Sequence, residues 1–260
     1  MPSDHQSRMS KRQLIRPSIS NRVPKVKLPN GVTLRVGSSH LDQAEIVTIA
    51  VFGSVIGNSV PNKKTGAMVQ IYYLRTDINP QDAIRKGLDS SICGDCPLSW
   101  TQAKKGDARC YVLPFQAPYR VFEQWKMGKY PLLDEMKPKQ RQAVMNIFNT
   151  VPIRLGAYGD PACDQDTLKM LVQRRWTGYT HQWREYPHLK QWLMASIDSI
   201  DEYEEAKQLG FRTYRHTKNE AMLENEIQCP NDTHGTQCIN CLLCNGTRYT
   251  AGKDVVTWTI

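Results

Sequence analysis

The stretch VPIRLGAYGDPACDQDTLKMLVQRRWTGYTH, residues 151–181, alternates between the sequence patterns of strands and helices. Residues 151–157 are mostly apolar and run into a Gly-Asp-Pro turn, which predicts a buried strand. Residues 164–175 repeat apolar side chains at helical spacing, and residues 176–181 again have strand character. A strand, a helix and a second strand in this order are typical of a parallel βα unit.

The same alternation extends over most of the chain. Residue patterns predict further strands at 32–36, 45–52, 68–74, 193–197, 211–214, 226–229 and 254–260. They predict helices at 80–86, 119–127, 141–148, 188–192 and 201–209, the last with Ser199 and Glu202 as a capping box and Gly210 at its end. The predicted fold class is α/β, a partial or complete βα (TIM-like) barrel with an N-terminal β extension.

The domain organisation follows from composition. Residues 1–28 are predicted to form a disordered basic arm, and residues 29–260 a single α/β domain with metal-binding loops at 90–112 and 229–246. Residues 1–30 contain seven Lys and Arg against one Asp, so they contribute +6 of the net charge of +9. Such an arm can bind nucleic acid through phosphate contacts, or it can serve only as a solubilising tail.

Several classes of protein are disfavoured by missing patterns. The chain contains no apolar run of about 18 residues and begins without a signal-peptide pattern, which predicts no membrane span and a cytoplasmic location. It contains no Walker A loop, no G-x-G-x-x-G, no G-x-S-x-G and no H-E-x-x-H. Nucleotide hydrolysis and serine hydrolase chemistry therefore have no support.

Polar residues follow the predicted strands in a way that suggests an active site. In a βα barrel the carboxyl ends of the strands carry the catalytic groups. The candidate catalytic residues at these ends are Asp160, His181, Asp198 and His216. Each of them also has a structural explanation as a turn, cap or surface residue, so their shared placement is the argument for catalysis.

The strongest motif is the C-terminal cysteine run. Cys229 is followed by Cys238, Cys241 and Cys244, in the spacing C-x8-C-x2-C-x2-C. Thiolates two residues apart converge on one metal centre, and a distant fourth thiolate completes the ligand set. The flanking Pro, Asn and Gly residues indicate a loop, so we predict an iron-sulfur cluster of the 4Fe-4S type, with structural zinc as the alternative.

A second cysteine group is one ligand short of a tetrahedral site. Cys93, Cys96 and Cys110 have the spacing C-x2-C-x13-C. Cys163, a histidine, water or a substrate could take the fourth position, and an open position is what a catalytic metal keeps. A structural zinc knuckle and three unligated thiols remain as alternatives.

Several segments carry a resemblance to a protein family. KTG at 64–66, SICGDCP at 91–97, CYV at 110–112, GAYGDP at 156–161 and the C-terminal cysteine run resemble an uncharacterised cysteine-rich family encoded by bacteriophages and prophages. The resemblance covers about residues 45–260, one domain's length. It implies a phage-encoded protein acting in the bacterial host cytoplasm and implies no activity.

A more distant resemblance is to the radical S-adenosylmethionine enzymes, which have partial βα barrels. Their Gly-rich turn after the second strand is similar to the segment containing Gly156, Gly159 and Asp160, which implies cofactor binding there. Their C-x3-C-x2-C run is absent from this chain, while Cys238, Cys241 and Cys244 resemble their auxiliary-cluster ligands.

The sequence thus leaves three functions open. The first is a phage-encoded iron-sulfur protein, which the second resemblance extends to a radical S-adenosylmethionine-like enzyme. The second is a zinc-stabilised nucleic-acid-binding protein acting in phage replication or host takeover. The third is an inhibitor that binds a host protein.

Overall fold

The computed structural model describes residues 26–103, 110–217, 220–248 and 252–258. The strands are β1 (Gly31–Ser38), β2 (Glu45–Val51), β3 (Val69–Arg75), β4 (Ile153–Tyr158), β5 (Trp176–Thr177), β6 (Tyr179–Thr180), β7 (Met194–Ile197), β8 (Thr213–Thr217), β9 (Glu226–Gln228) and β10 (Asp254–Trp258). The α-helices are α1 (Pro80–Arg85), α2 (Ser90–Cys93), α3 (Ala117–Lys126), α4 (Pro138–Thr150), α5 (Gln165–Leu171), α6 (Ile200–Gln208), α7 (Pro230–His234) and α8 (Cys238–Cys241). Short 3-10 helices occupy Leu133–Glu135, Pro161–Asp164 and Pro187–Gln191.

The strands form two five-stranded sheets with the orders β1-β2-β3-β4-β5 and β6-β7-β8-β10-β9. The first sheet is antiparallel from β1 to β3 and parallel from β3 to β5. The second sheet is parallel throughout. The predicted α/β class is therefore confirmed, and the first strands of the chain form the antiparallel part of the first sheet.

The predicted strand at 176–181 is divided at Gly178 between the two sheets. β5 pairs with β4 of the first sheet, and β6 pairs with β7 of the second. A Cβ atom at Gly178 would lie 2.9 Å from the side chains of both Leu155 and Leu193, so only glycine fits this junction. One continuous piece of backbone thus carries the edges of both sheets.

Helices cover both sheets with apolar side chains. Phe148 of α4 packs edge-on against Phe52, with ring centroids 6.3 Å apart, in the core of the first sheet. A second core contains Tyr203 of α6 together with Trp183 and Phe211. The helices thereby bury the apolar faces that the parallel strands present.

The predicted end signals of α6 are confirmed. The side chain of Ser199 accepts a hydrogen bond of 3.2 Å from the backbone N–H of Glu202, and Gly210 has φ of +82° just after the helix. The carboxylate of Glu202 accepts from the N–H of Asp198 at 2.7 Å, one residue before the N-cap. The cap therefore also holds Asp198 at the end of β7.

The structure also bears on the predicted loop at the first cysteines and on the predicted absence of a membrane span. Residues 90–112 were expected to be a loop, and this was wrong at their start, since α2 forms one helical turn there. Among the described residues, none of the helices combines the length and the apolar composition that a bilayer crossing requires. Residues 1–25 of the predicted basic arm and the last two residues of the predicted strand at 254–260 lie outside the described residues.

Candidate metal centres at two cysteine groups

The first cysteine group is built on a tight turn. α2 ends at Cys93, and Gly94 follows with φ of +59°, a backbone conformation that favours glycine. The N–H of Cys96 then donates to the carbonyl of Cys93 at 3.3 Å, and the N–H of Cys110 donates to Leu98 at 2.6 Å. These bonds bring the segment of Cys110 back beside the Cys93–Cys96 turn.

The three thiols of this group lie close enough to affect one another. Burial raises the pKa of the Cys93 thiol well above its ordinary value, and Asp89, Cys96 and Cys110 raise it further. Burial also raises the pKa of Cys110, with Cys96 contributing in the same direction. Thiols in this environment resist ionisation together unless a cation joins them.

Asp160 connects the ends of two strands. Its Oδ1 accepts from Oγ1 of Thr180 at 2.7 Å and from the N–H of Ala162 at 2.9 Å, and its Oδ2 accepts from the N–H of His181 at 2.8 Å. Burial raises the pKa of Asp160 even though these hydrogen bonds favour the carboxylate. Asp160 therefore positions the backbone of His181 at the end of β6.

The glycines in and before the Gly-Asp-Pro turn that ends β4 are required by the backbone. Gly156 and Gly159 have φ of +65° and +82°. A Cβ atom at Gly156 would lie 2.8 Å from the carbonyl oxygen of Gly159, and one at Gly159 would lie 3.0 Å from Tyr73. The turn thus requires glycine at both positions. Binding of S-adenosylmethionine by Gly156, Gly159 and Asp160 stays a prediction.

His181 lies between the first cysteine group and Asp198. Its Nε2 is 3.5 Å from Oδ2 of Asp198, and both atoms are buried without a hydrogen-bond partner. Burial alone would lower the pKa of His181, but pairing with Asp198 and with the Cys96 sulfur raises it to about 10. The structure therefore brings together three of the four predicted catalytic residues, Asp160, His181 and Asp198, beside the first cysteine group.

His216 and Cys163 are placed differently. His216 lies within β8, opposite Thr257 of β10, and no hydrogen bond or ion pair joins it to Asp160, His181 or Asp198 in the part of the chain that the structure describes. Cys163 is fully buried in the core of the first sheet, where burial raises its pKa well above the ordinary thiol value.

The C-terminal cysteines are anchored to both sheets. The N–H of Cys229 donates to Val256 of β10 at 2.8 Å. The N–H of Cys238 donates to Lys64, just before β3, at 3.0 Å, and the carbonyl of Cys244 accepts from Gly178 at 2.8 Å. Three separate contacts thus draw the run of cysteines across the junction between the sheets.

The four C-terminal thiols lie near enough to act electrostatically on one another. Burial raises the pKa of Cys244 well above its ordinary value, and Cys229, Cys238 and Cys241 each raise it further. Burial raises the pKa of Cys238 and Cys241 as well. Among the described residues, no three thiol sulfurs lie within 4.8 Å of one another, so the four are neighbours at a wider spacing.

Cationic side chains lie around the C-terminal cysteine group, and they were not predicted from the sequence. Burial alone would lower the pKa of Lys64, but interactions with Asp232, Cys229 and Cys238 raise this pKa above its ordinary value. Arg154 of β4 and Arg212 also act electrostatically on Cys238 and Cys244. The only sequence signal for these residues was the quoted KTG segment, which contains Lys64.

A group of tyrosines separates the two cysteine groups. Tyr111, next to Cys110, accepts a hydrogen bond from Arg154, and its hydroxyl lies 3.5 Å from that of Tyr179. The ring of Tyr179 stacks on Tyr214 at a centroid distance of 4.5 Å. Tyr214 packs against the apolar cluster that contains Cys229, and Cys244 packs against the same cluster. The contacts therefore run from the first cysteine group to the second.

One further group of side chains could bind a metal ion, because the ligand atoms of His40, Asp164 and Asp166 lie within 4.8 Å of one another. Arg35 occupies it, because its guanidinium lies 3.3 Å from Asp164 and 3.6 Å from Asp166. Asp164 also accepts hydrogen bonds from Thr48 and Thr167. We therefore interpret this group as an ion pair rather than a cation site.

No protein-family model, no curated protein and no solved structure matches this chain. The fold and the site together define a class in physical terms: a mixed α/β protein in which two groups of neighbouring thiols lie near the junction of two sheets.

Proposed function

We propose that this chain is an iron-sulfur protein in which Cys229, Cys238, Cys241 and Cys244 hold a four-iron cluster. The observation that carries the proposal is the proximity of these four cysteines. Backbone hydrogen bonds hold Cys229, Cys238 and Cys244 near the junction of the two sheets, and the other three thiols all contribute to the raised pKa of Cys244. Partly buried thiols that lie close together are stabilised when they ionise around metal ions.

The spacing of the sulfurs favours a cluster over a single zinc ion. A tetrahedral zinc ion with metal–sulfur bonds of about 2.3 Å holds its thiolates about 3.8 Å apart. In a four-iron cluster each cysteine binds a different iron atom, so the thiolates stand farther apart. No three of the described thiols lie within 4.8 Å of one another, a spacing wider than a single zinc ion requires.

The charges around the group support an anionic metal centre. Lys64, Arg154 and Arg212 come from three different parts of the chain, and each acts electrostatically on at least one thiol of the group. Four thiolates on a cluster carry excess negative charge, which nearby cations stabilise.

We infer also that the two sheets continue one another as a partial βα barrel. The support is the segment Trp176–Thr177 and Tyr179–Thr180, which pairs with β4 on one side and β7 on the other. A phage origin, a location in the host cytoplasm and radical chemistry with S-adenosylmethionine remain predictions from resemblance.

The test of the proposal is metal analysis of protein purified without oxygen. We expect about four iron and four sulfide ions per chain at the C-terminal group, together with the broad visible absorption of thiolate-to-iron charge transfer. Aerobic exposure should bleach this absorption. Protein that carries stoichiometric zinc and no iron, even after reconstitution with iron and sulfide, would eliminate the cluster.

The alternative function, a zinc-stabilised nucleic-acid-binding protein, depends on the basic arm. If it is correct, deletion of residues 1–28 should weaken DNA or RNA binding and flatten its dependence on salt, because fewer counterions are released. A matched control replaces the seven Lys and Arg of residues 1–30 with Gln, which keeps the length and removes the charge. Binding of the full-length chain that does not respond to salt contradicts this alternative.

A further inference from the structure

A cleft of about 480 Å³ lies beside the loop of the C-terminal cysteines. Three parts of the chain line it: the end of α4 with Asn149, the connection from α5 to β5 with Arg174 and Arg175, and the cysteine loop with Leu242 and Asn245. We call it the basic cleft. Its volume is in the range of sites that bind small molecules.

The basic cleft contains the two adjacent guanidinium groups of Arg174 and Arg175. Both residues are exposed, and in the part of the chain that the structure describes neither side chain forms an ion pair or a hydrogen bond. Arg184, which is also exposed, is by contrast bonded to Glu202 and Glu205. Among the described residues that line the cleft, none is Asp or Glu. Within these residues, the cleft therefore presents two positive charges without a counterion.

The first sheet holds the backbone of the two arginines in place. The carbonyl of Arg175 accepts a hydrogen bond of 2.9 Å from the N–H of Ile153, at the start of β4. Trp176 follows in β5, pairs with Ile153 and donates its indole N–H to the carbonyl of Trp192 at 2.6 Å. The backbone beside both guanidinium groups is thus fixed by a packed strand, which reduces the ordering cost of binding a ligand.

The cysteine loop contributes a residue with an unfavourable backbone conformation. Leu242 has φ of +55°, in the left-handed region that an apolar residue rarely adopts, and its N–H donates to the carbonyl of Cys238 at 3.1 Å. Such a conformation persists only where the surrounding structure holds it, and it is concentrated at binding and active sites. Leu242 is only partly buried and lines the cleft. It therefore offers an apolar surface beside the two arginines.

We propose that the basic cleft binds a small organic molecule that carries a phosphomonoester. The paired N–H donors of a guanidinium match the oxygens of a phosphate group, and two guanidinium groups balance its charge of about −1.5 to −2. A carboxylate, with one charge and two oxygens, needs only one arginine. The cleft has room for more than a phosphate ion, so the organic part of the ligand would lie against Leu242.

The proposal goes beyond the iron-sulfur function and depends on no metal. Arg174 and Arg175 belong to the connection between α5 and β5, which contains none of the eight cysteines. Leu242 lies between Cys241 and Cys244 in the sequence. A bound ligand would therefore contact the loop that carries the C-terminal thiols.

Isothermal titration calorimetry of the full-length chain at low salt tests the proposal with three probes: phenyl phosphate, benzoate and inorganic phosphate. Phenyl phosphate and benzoate share an aromatic ring and differ in the anionic group. The test variant combines Arg174→Gln with Arg175→Gln. The matched control combines Arg120→Gln with Lys129→Gln, which removes two positive charges from exposed residues outside the cleft lining. Circular dichroism establishes that both variants are folded.

We expect phenyl phosphate to bind at one site per chain, and benzoate to bind at least about tenfold more weakly, because it has less charge and fewer acceptor oxygens. Inorganic phosphate should compete with phenyl phosphate but bind more weakly, since it lacks the apolar contact with Leu242. Loss of both arginines should weaken the binding of phenyl phosphate about 10–100-fold, the usual effect of removing hydrogen bonds to a charged group. The control variant should change it by less than about threefold, because salt screens distant charges.

Four outcomes would overturn the proposal. They are no binding of phenyl phosphate by the original chain, equal affinities for phenyl phosphate and benzoate, equal losses in the two double variants, and binding of a single-stranded oligonucleotide but of none of the three probes. The last outcome would identify a nucleic-acid surface instead. The four-iron cluster is assessed separately, by the iron content of the anaerobically purified protein, so failure of one proposal can be distinguished from failure of the other.

Discussion

Replacement of Cys244 by serine should remove the cluster iron almost completely from the anaerobically purified protein. Cys244 is the thiol on which the other three C-terminal cysteines act, and it packs against the apolar cluster of Met194, Cys229 and Val255. A serine hydroxyl is a poor ligand for iron that prefers thiolates, so three remaining ligands would leave one iron atom exposed. Iron and sulfide analysis, together with the visible absorption spectrum, measures the loss.

The matched control for Cys244→Ser is Cys163→Ala. Cys163 is the one cysteine of the eight that belongs to neither group. Its truncation removes one buried sulfur atom from the core, which costs stability but no metal ligand. We expect Cys163→Ala to keep the iron content of the original chain. Equal iron content in Cys244→Ser and the original chain would contradict the four-cysteine ligand set.

Much of the secondary structure could be predicted because its signals are local. The capping box at Ser199, the glycine after α6 and the β-branched runs of β2 and β3 each determine a few residues through nearby contacts. The division of the strand at 176–181 depends on one glycine, whose neighbours Leu155 and Leu193 are distant in sequence. The helical turn at α2 was missed because four residues are too few to show a helical period.

The topology and the site were less accessible to sequence reasoning. β10 inserts between β8 and β9, and no local pattern records which strand pairs with which. The rule that strand ends converge grouped Asp160, His181 and Asp198, which the structure also brings together, but it included His216, which lies within β8. It could not show that the end of β6 lies beside the Cys93–Cys96 turn, since that depends on how the segment after α2 packs against Gln182.

The cations around the C-terminal thiols illustrate the same limit. Lys64 lies before β3 and Arg154 within β4, more than one element away from the cysteines that they affect. Residues 229–246 begin beside β10, where Cys229 bonds to Val256, and then pass beside Lys64, where Cys238 bonds to it. This path in space explains why the cations and the cysteines meet. A motif identifies ligands, whereas the charges that tune a metal centre come from the fold.

Substitution of Glu226 by glutamine should destabilise the protein by about 3 kcal/mol, the lower end of the cost of removing one partner from a buried ion pair. Both carboxylate oxygens of Glu226 accept from Arg215 at 2.7 Å, and both side chains are fully buried. Without Glu226, Arg215 keeps one carboxylate partner, the half-exposed Glu220, and a hydrogen bond of 2.9 Å to the carbonyl of Ala221. Urea unfolding followed by circular dichroism gives the difference in free energy of unfolding.

Glu220→Gln is the matched control, because it removes a carboxylate from the same arginine at an exposed position and should cost less than about 1 kcal/mol. The comparison also tests the link between fold and metal site. Glu226 belongs to β9, which pairs with β10 and leads directly into Cys229. If burial determines the cost, Glu226→Gln should also weaken iron retention, whereas Glu220→Gln should not. Equal costs for the two variants would mean that the buried pair does not hold this edge of the sheet.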